Sequence, residues 1–340
     1  MRDLFEFERA PSPSGGRSSS KPTPSDAPIP TEVFDTYWRF AAERQATYER
    51  RLRSARPPWT EDIILRRFRF TNTYRASDRV SQFLIKEVQY APNRSQETRE
   101  LFFRTMLFKI FNKIETWEQL EQHCGTIEAS RPDYDRMDDV LERMRQAGPI
   151  YSAAYIMPSP RMGRERKHSN HLALLRKMMA DNLPDRIRQA QSLSDVYELL
   201  LSYPGVGRFL AFQYAIDLNY STMLDFDEAE FVVAGPGALD GISKCFSSTA
   251  GWSPERIIMW VTERQDREFA ARGIEFSGLA GRPLKPIDCQ NLFCEISKYA
   301  RVAHPSVAGV SGRTRIKQSY RHSTRPLPEP FFPPRWGINT

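Results

Sequence analysis

Apolar residues return every three or four positions through most of this chain, and that period constrains the fold more than any other feature. In Phe103, Met106, Leu107, Ile110, Phe111 and Ile114 the spacing is i, i+3, i+4, i+7, i+8 and i+11, one stripe of an amphipathic helix. Lys109 and Lys113 fall away from that stripe. Thr60 is placed to cap a segment reaching Val88, with Glu61 and Asp62 near the positive end of its dipole. Val80, Phe83, Leu84 and Val88 form the stripe of that segment. Alternating strand patterns are scarce and no long internal repeat occurs, so the chain is expected to be all-α.

Three regions are expected. Residues 1–31 include the run APSPSGGRSSSKPTPSDAPIPT, which has almost nothing to bury and reads as a disordered leader. Residues 32–305 carry the helical period and form the body. Residues 306–340 are a basic, Pro-rich tail in which Phe331, Phe332 and Trp336 are expected to dock. No apolar run approaches the ~20 residues that cross a bilayer, and Met1–Glu6 lacks the apolar stretch of a secretory signal, so a cytoplasmic protein with no membrane partner is expected. The four cysteines (Cys124, Cys245, Cys289, Cys294) lack CxxC spacing and the five histidines are scattered, so neither a metal nor a cofactor is expected. The 49 Lys and Arg against 42 Asp and Glu leave +7, a balance that suits a polyanion but also suits mere solubility.

The stretch from Ser192 to Phe231 narrows this choice. A Leu-rich helix ends near Tyr203, Pro204-Gly205-Val206-Gly207 follows, and a second helix runs from Arg208 to about Leu218. Proline stops the first helix, and the two glycines allow positive φ and close approach of a polyanion to the backbone. Amides at the start of the second helix, aided by its dipole, can then hold a phosphate. This is the helix-hairpin-helix way of gripping a DNA strand without reading its sequence, through Gly205, Val206, Gly207 and Arg208. A generic helical turn is the bland alternative.

With the acidic run Leu224-Asp225-Phe226-Asp227-Glu228 downstream, the segment resembles the helix-hairpin-helix DNA glycosylases. That resemblance implies a glycosylase-like fold, with Asp227 in the register of the catalytic aspartate at the edge of a pocket for an extruded base. Asp225 and Glu228 read as helix-capping acids. Where strand-cleaving members carry a lysine, this chain has Phe209, so an amine-based mechanism is not expected.

Further segments resemble a narrower family. They are Phe70–Arg75, Asp78–Gln82, Phe103-Arg104, Lys109–Glu115, Ala153–Ile156, the hairpin, Ala234–Ala238 and Asp288–Glu295. Together they are similar to the helical domain shared by 5-hydroxymethyluracil DNA kinases of phages and the α-glutamyl/putrescinyl-thymine pyrophosphorylases. The resemblance implies hypermodification of a thymine-type base, with pyrophosphate displaced by an amine or amino acid. It also implies double-stranded DNA, an amine co-substrate and a 5-hydroxymethyluracil DNA kinase as partners. No Gly-x-x-x-x-Gly-Lys-Ser/Thr run occurs, so the chain is not expected to be the kinase itself.

That chemistry needs cations for the leaving anion, a base, and groups that read and stack on the nucleobase. Arg75, Arg79 and Arg208 suit the first, and Asp227, Asp288 and Glu295 the second. Asn72, Gln290 and Asn291 can pair with a base edge, and Tyr74 or Tyr155 can stack on it. Each has a plain alternative: core aromatics, surface ion pairs worth ~0.5 kcal/mol, or helix caps. A monofunctional glycosylase releasing a free base and a non-catalytic DNA-binding module are the competing functions.

Overall fold

A computed structural model describes residues 27–154, 156–323 and 326–339. Among them the chain forms fourteen α-helices and one two-stranded ribbon, in keeping with the helical period. In order these are α1 (Glu32–Arg53), α2 (Ile63–Arg67), α3 (Arg79–Phe83), α4 (Thr98–Phe111), α5 (Ile114–Cys124), α6 (Tyr134–Ala147) and α7 (Lys167–Ala180). There follow α8 (Leu183–Arg188), α9 (Leu193–Leu201), α10 (Arg208–Asn219), α11 (Pro236–Cys245), α12 (Pro254–Glu263), α13 (Gln265–Ala271) and α14 (Pro286–Ala303). Side-chain oxygens of Thr31, Asp62, Asp133, Ser192 and Ser253 cap α1, α2, α6, α9 and α12 by accepting first-turn amides.

Two helices organise the body. Every residue from Leu210 to Asn219 of α10 is buried, as is every residue of α4 except Arg99. A helix covered on all sides is a core helix: α5, α7, α8 and α9 pack on these two, while α1, α11, α12 and α14 pack chiefly on one another. Burial on all faces also explains a misreading of the stripe. Lys109 is only 2% exposed, and the stripe is cut at Asn112, whose left-handed φ of 50° ends α4 before Ile114 opens α5.

The 60–88 segment is broken rather than continuous. Asp62, not Thr60, caps α2, while the Thr60 hydroxyl donates to Glu43 Oε1 at 2.6 Å. A short 3₁₀ turn (Arg75–Ser77), α3 and a π-helical turn (Leu84–Gln89) follow. The body starts slightly earlier than expected. β1 (Ile29–Pro30) pairs antiparallel with β2 (Phe246–Ser248), and the Thr31 hydroxyl donates to the Lys244 carbonyl at 2.5 Å. The expected leader up to residue 26 lies outside the described residues. The tail docks: Tyr320 N–H donates to Arg67 O at 2.9 Å, Phe331 N–H to Gln82 Oε1 at 2.8 Å, and Trp336 packs edge-on to Tyr220.

α11 lies against α14 at a distance that only glycine permits. A Cβ on Gly241 would fall inside the van der Waals envelope of the Phe293 carbonyl. Gly241→Ala is therefore expected to cost at least about 2 kcal/mol by denaturant melting. Gly148→Ala, at a site with nothing within 4 Å, is the control and should move the midpoint little.

Candidate functional site

The hairpin forms as a helix, a tight turn and a helix. Tyr203 and Val206 are buried and pin the turn to the body, leaving Pro204, Gly205, Gly207 and Arg208 exposed. Gly205 has φ of 77°, and a Cβ there would lie 2.8 Å from Pro160 Cα, so the position demands glycine twice over. Gly207 differs from expectation: its φ of −82° is ordinary, and it serves as the N-cap of α10 with no side-chain cap bond. The dipole end of α10 thus sits at an exposed surface beside Arg208, whose guanidinium reaches Glu255 at 3.7 Å.

Inside the body, α10 carries Asp217, fully buried. Its carboxylate meets Arg75 Nη1 at 2.8 Å and Lys109 Nζ at 3.2 Å. Arg75 Nε donates to Gln213 Oε1 at 2.9 Å, and Gln89 Nε2 donates to the Asp217 carbonyl at 2.7 Å. Arg75, expected to contact a phosphate, is therefore a core residue at 3% exposure: its charge is committed to α10. Sequence reading missed Asp217 and Lys109. The signal was an acid within the apolar run Phe209–Leu218, since a buried charge requires a partner.

The other candidate residues separate into distinct places. Asp288 is buried in the first turn of α14, where it accepts the amides of Arg75 at 2.9 Å and Lys285 at 3.1 Å. Burial raises its carboxyl to about 6 against the pull of those amides. Glu295 accepts the Thr71 amide at 3.1 Å and pairs with Lys298 at 2.5 Å. Asn72 bridges Arg44, the Ser77 carbonyl and Asp78. Arg79 is exposed, 3.8 Å from Glu115. Tyr74 is buried with its hydroxyl donating to Arg282 O at 2.7 Å, so its ring is core. Gln290 is buried, Asn291 half-buried, and Tyr155 lies outside the described residues.

The two acids after the hairpin exchange their expected characters. Asp227 is exposed; it accepts the Ala229 amide at 2.9 Å and pairs with Lys285 at 3.0 Å, which together hold its carboxyl below the usual range. Glu228, read as a capping acid, is 4% exposed and faces Arg282 at 3.3 Å. Burial drives its carboxyl up to about 7, with Arg282 opposing. Trp336 from the tail stacks on the Arg282 guanidinium at 3.8 Å, and Arg335 reaches Asp225 at 3.0 Å and the Ser221 carbonyl at 3.0 Å. A groove of about 620 Å³ between α6 and α7 contains none of these residues.

The model of the 5-hmdU DNA kinase helical domain matches residues 31–309, and the chain belongs to that family. Among particular proteins, it is 27% identical over 291 residues to the 5-hmdU DNA kinase of Bacillus phage SP10. That match covers 78% of this chain and 45% of the phage protein, so the chain spans less than half of its relative. No solved structure matches it.

Two measurements check this geometry. Asp217→Asn removes the carboxylate that two buried cations share and should cost about 3–5 kcal/mol in urea unfolding, whereas exposed Asp227→Asn should stay within about 0.5 kcal/mol. Glu228 binds its proton more tightly when folded, with its carboxyl raised from 4.5 to about 7, so its contribution is present in acid and lost as pH rises through that window. Glu228→Gln should therefore flatten the fall in unfolding free energy between pH 5 and 8, by on the order of 1–3 kcal/mol at the alkaline end, read by urea unfolding.

Proposed function

We propose that this chain binds duplex DNA carrying the thymine-derived base 5-hydroxymethyluracil and acts in the hypermodification of that base. The supporting observation is the exposed turn Pro204–Arg208, set at the dipole end of a core helix in a chain of the 5-hmdU DNA kinase helical-domain family. Backbone amides and Arg208 hold the strand through its phosphates, which positions the duplex without reading sequence.

The reaction we assign is substitution of an activated 5-hydroxymethyl group. An amine nitrogen bonds to the methylene carbon, the carbon–oxygen bond to pyrophosphate breaks, and the proton released by the amine passes to a carboxylate. Glu228 suits that role better than Asp227, because a carboxyl near 7 can take a proton at neutral pH more readily than one held low by the Ala229 amide and Lys285. Arg282, against Glu228, supplies a cation for the departing anion. The co-substrate amine and a DNA kinase that prepares the substrate are the partners this reading calls for.

One observation favours a second reading. Glu228 and Arg282 are already paired and the guanidinium is stacked on Trp336, an arrangement that also suits a purely structural ion pair. The chain would then be a DNA-presenting module with no chemistry of its own.

Incubation with pyrophosphorylated 5-hydroxymethyluracil DNA and candidate amines should give a new nucleoside by mass spectrometry, lost in Glu228→Gln. Binding without product, in wild type and variant alike, would establish the module instead. In either case log affinity should fall steeply with log salt, and Arg208→Ala should reduce the slope by about 1. A flat salt dependence contradicts both readings.

A further inference from the structure

The positive charge of this chain is concentrated. Segment 312–323, GRTRIKQSYRHS, holds Arg313, Arg315, Lys317 and Arg321 and no acid, and residues 66–69 read Arg-Arg-Phe-Arg. With these seven cations set aside, 42 Lys and Arg remain against 42 Asp and Glu, so the formal charge of +7 resides in two short stretches. The fold brings the two together. Phe68 bridges Ser319 in antiparallel fashion, the Arg69 amide donates to the Gln318 carbonyl at 3.0 Å, and the Tyr320 amide donates to the Arg67 carbonyl at 2.9 Å. Arg301 Nη1, near the end of α14, donates to the Arg315 carbonyl at 3.1 Å, and Ile316 packs against the core between two exposed cations.

Backbone groups and one apolar side chain hold this ribbon in place, and its cationic head groups take no part. All seven side chains are exposed. Among the described residues only Arg66 of the seven meets a carboxylate, that of Glu61 at 3.8 Å. Acids on the adjoining elements are committed inward: Asp62 caps α2 and accepts the Tyr299 hydroxyl at 2.7 Å, and Glu43 accepts the Thr60 hydroxyl and pairs with Arg50. Like charges gathered without counter-charges repel one another and work against the compact state. Solubility needs net charge but not its concentration on one ribbon. Six of the seven are arginines, whose planar fork pairs with two phosphate oxygens at once. The ribbon is also no amphipathic helix with an apolar face to enter a bilayer, so the polyanion it suits is a nucleic-acid backbone.

We propose that the ribbon of residues 66–69 and 312–322 is a second phosphate-binding surface, which holds the duplex at a place separate from the hairpin turn. This rests on the DNA reading above and adds a contact that the reading does not use. α14 relates the two places. Gln290, near its start, adjoins Gly235 and Phe209, the residue after Arg208 of the turn, while Arg301 holds the ribbon. At about 1.5 Å of rise per residue these points lie about 16 Å apart along the helix axis, well within the ~34 Å of one duplex turn.

Fluorescence anisotropy on the full chain, with a labelled duplex of two helical turns and a series of salt concentrations, tests the proposal. Arg67→Gln, Arg69→Gln, Lys317→Gln and Arg321→Gln together should lower the slope of log affinity against log salt by about 3, and weaken binding at physiological salt at least about tenfold. Replacing the same three arginines by Lys should keep the slope within about 0.5. The control, Arg131→Gln, Arg136→Gln, Arg143→Gln and Arg145→Gln, removes as much charge from exposed positions in and before α6 and should change the slope by less than about 1. Should the ribbon variant lose its urea transition, Arg313→Gln with Lys317→Gln carries the test, with a slope change of at least about 1. An unchanged slope in a folded ribbon variant, or a change matched by the control, overturns the proposal. A slope lowered by the ribbon variant but not by Arg208→Ala keeps the ribbon and overturns the grip at the hairpin; the opposite pattern does the reverse. Wild-type binding to phosphatidylserine vesicles but to no duplex overturns the proposal together with the reading on which it rests.

Discussion

The buried triad of Arg75, Asp217 and Lys109 sets the frame for the rest of the molecule. Three charges at 3%, 0% and 2% exposure would be untenable separately, because each would forfeit its hydration. Together they tie the segment before α3, the last turn of α4 and the end of α10 into one arrangement. An apolar core of the same size could slide by a helical turn at modest cost. A shared carboxylate cannot, since any shift separates cation from anion. Because α10 begins at the hairpin, the same constraint determines where the exposed turn stands relative to α11 and α14.

Local signals in the sequence read through to the structure wherever the residues act locally. The proline stop and Gly205 gave the helix–turn–helix with boundaries within a few residues, since these backbone preferences need no tertiary partner. The expectations that went astray concern residues whose role depends on what lies across the fold. Lys109 and Arg75 look like surface cations by composition, and only the distant Asp217 makes them core residues. Asp227 and Glu228 are adjacent, and a single step of register decides which one faces Arg282, 54 residues away in the chain. The one warning available beforehand was an aspartate inside the apolar run of α10.

The Pro-rich tail is legible in a similar, partial way. Its aromatics announce docking, because Phe331, Phe332 and Trp336 are too apolar for a free end. Where they dock depends on Arg335, which takes up the Ser221 carbonyl and the carbonyl of Asn219 at the end of α10. That bonding satisfies carbonyls a helix leaves open at its carboxyl end. It also brings Trp336 onto Arg282, the cation that opposes the upward shift of Glu228.

These features meet along the start of α14. Lys285 holds Asp227, Asp288 accepts the Arg75 amide, and Gln290 turns its amide toward Gly235, all within six consecutive residues. At about 1.5 Å of rise per residue this stretch is about 8 Å long. Its rigid link is Asp288, whose bond to Arg75 joins α14 to the buried triad. The start of α14 is thus tied to the exposed turn through buried groups, since Asp288 holds the Arg75 amide and the Arg75 guanidinium holds Asp217 on the helix that begins at that turn.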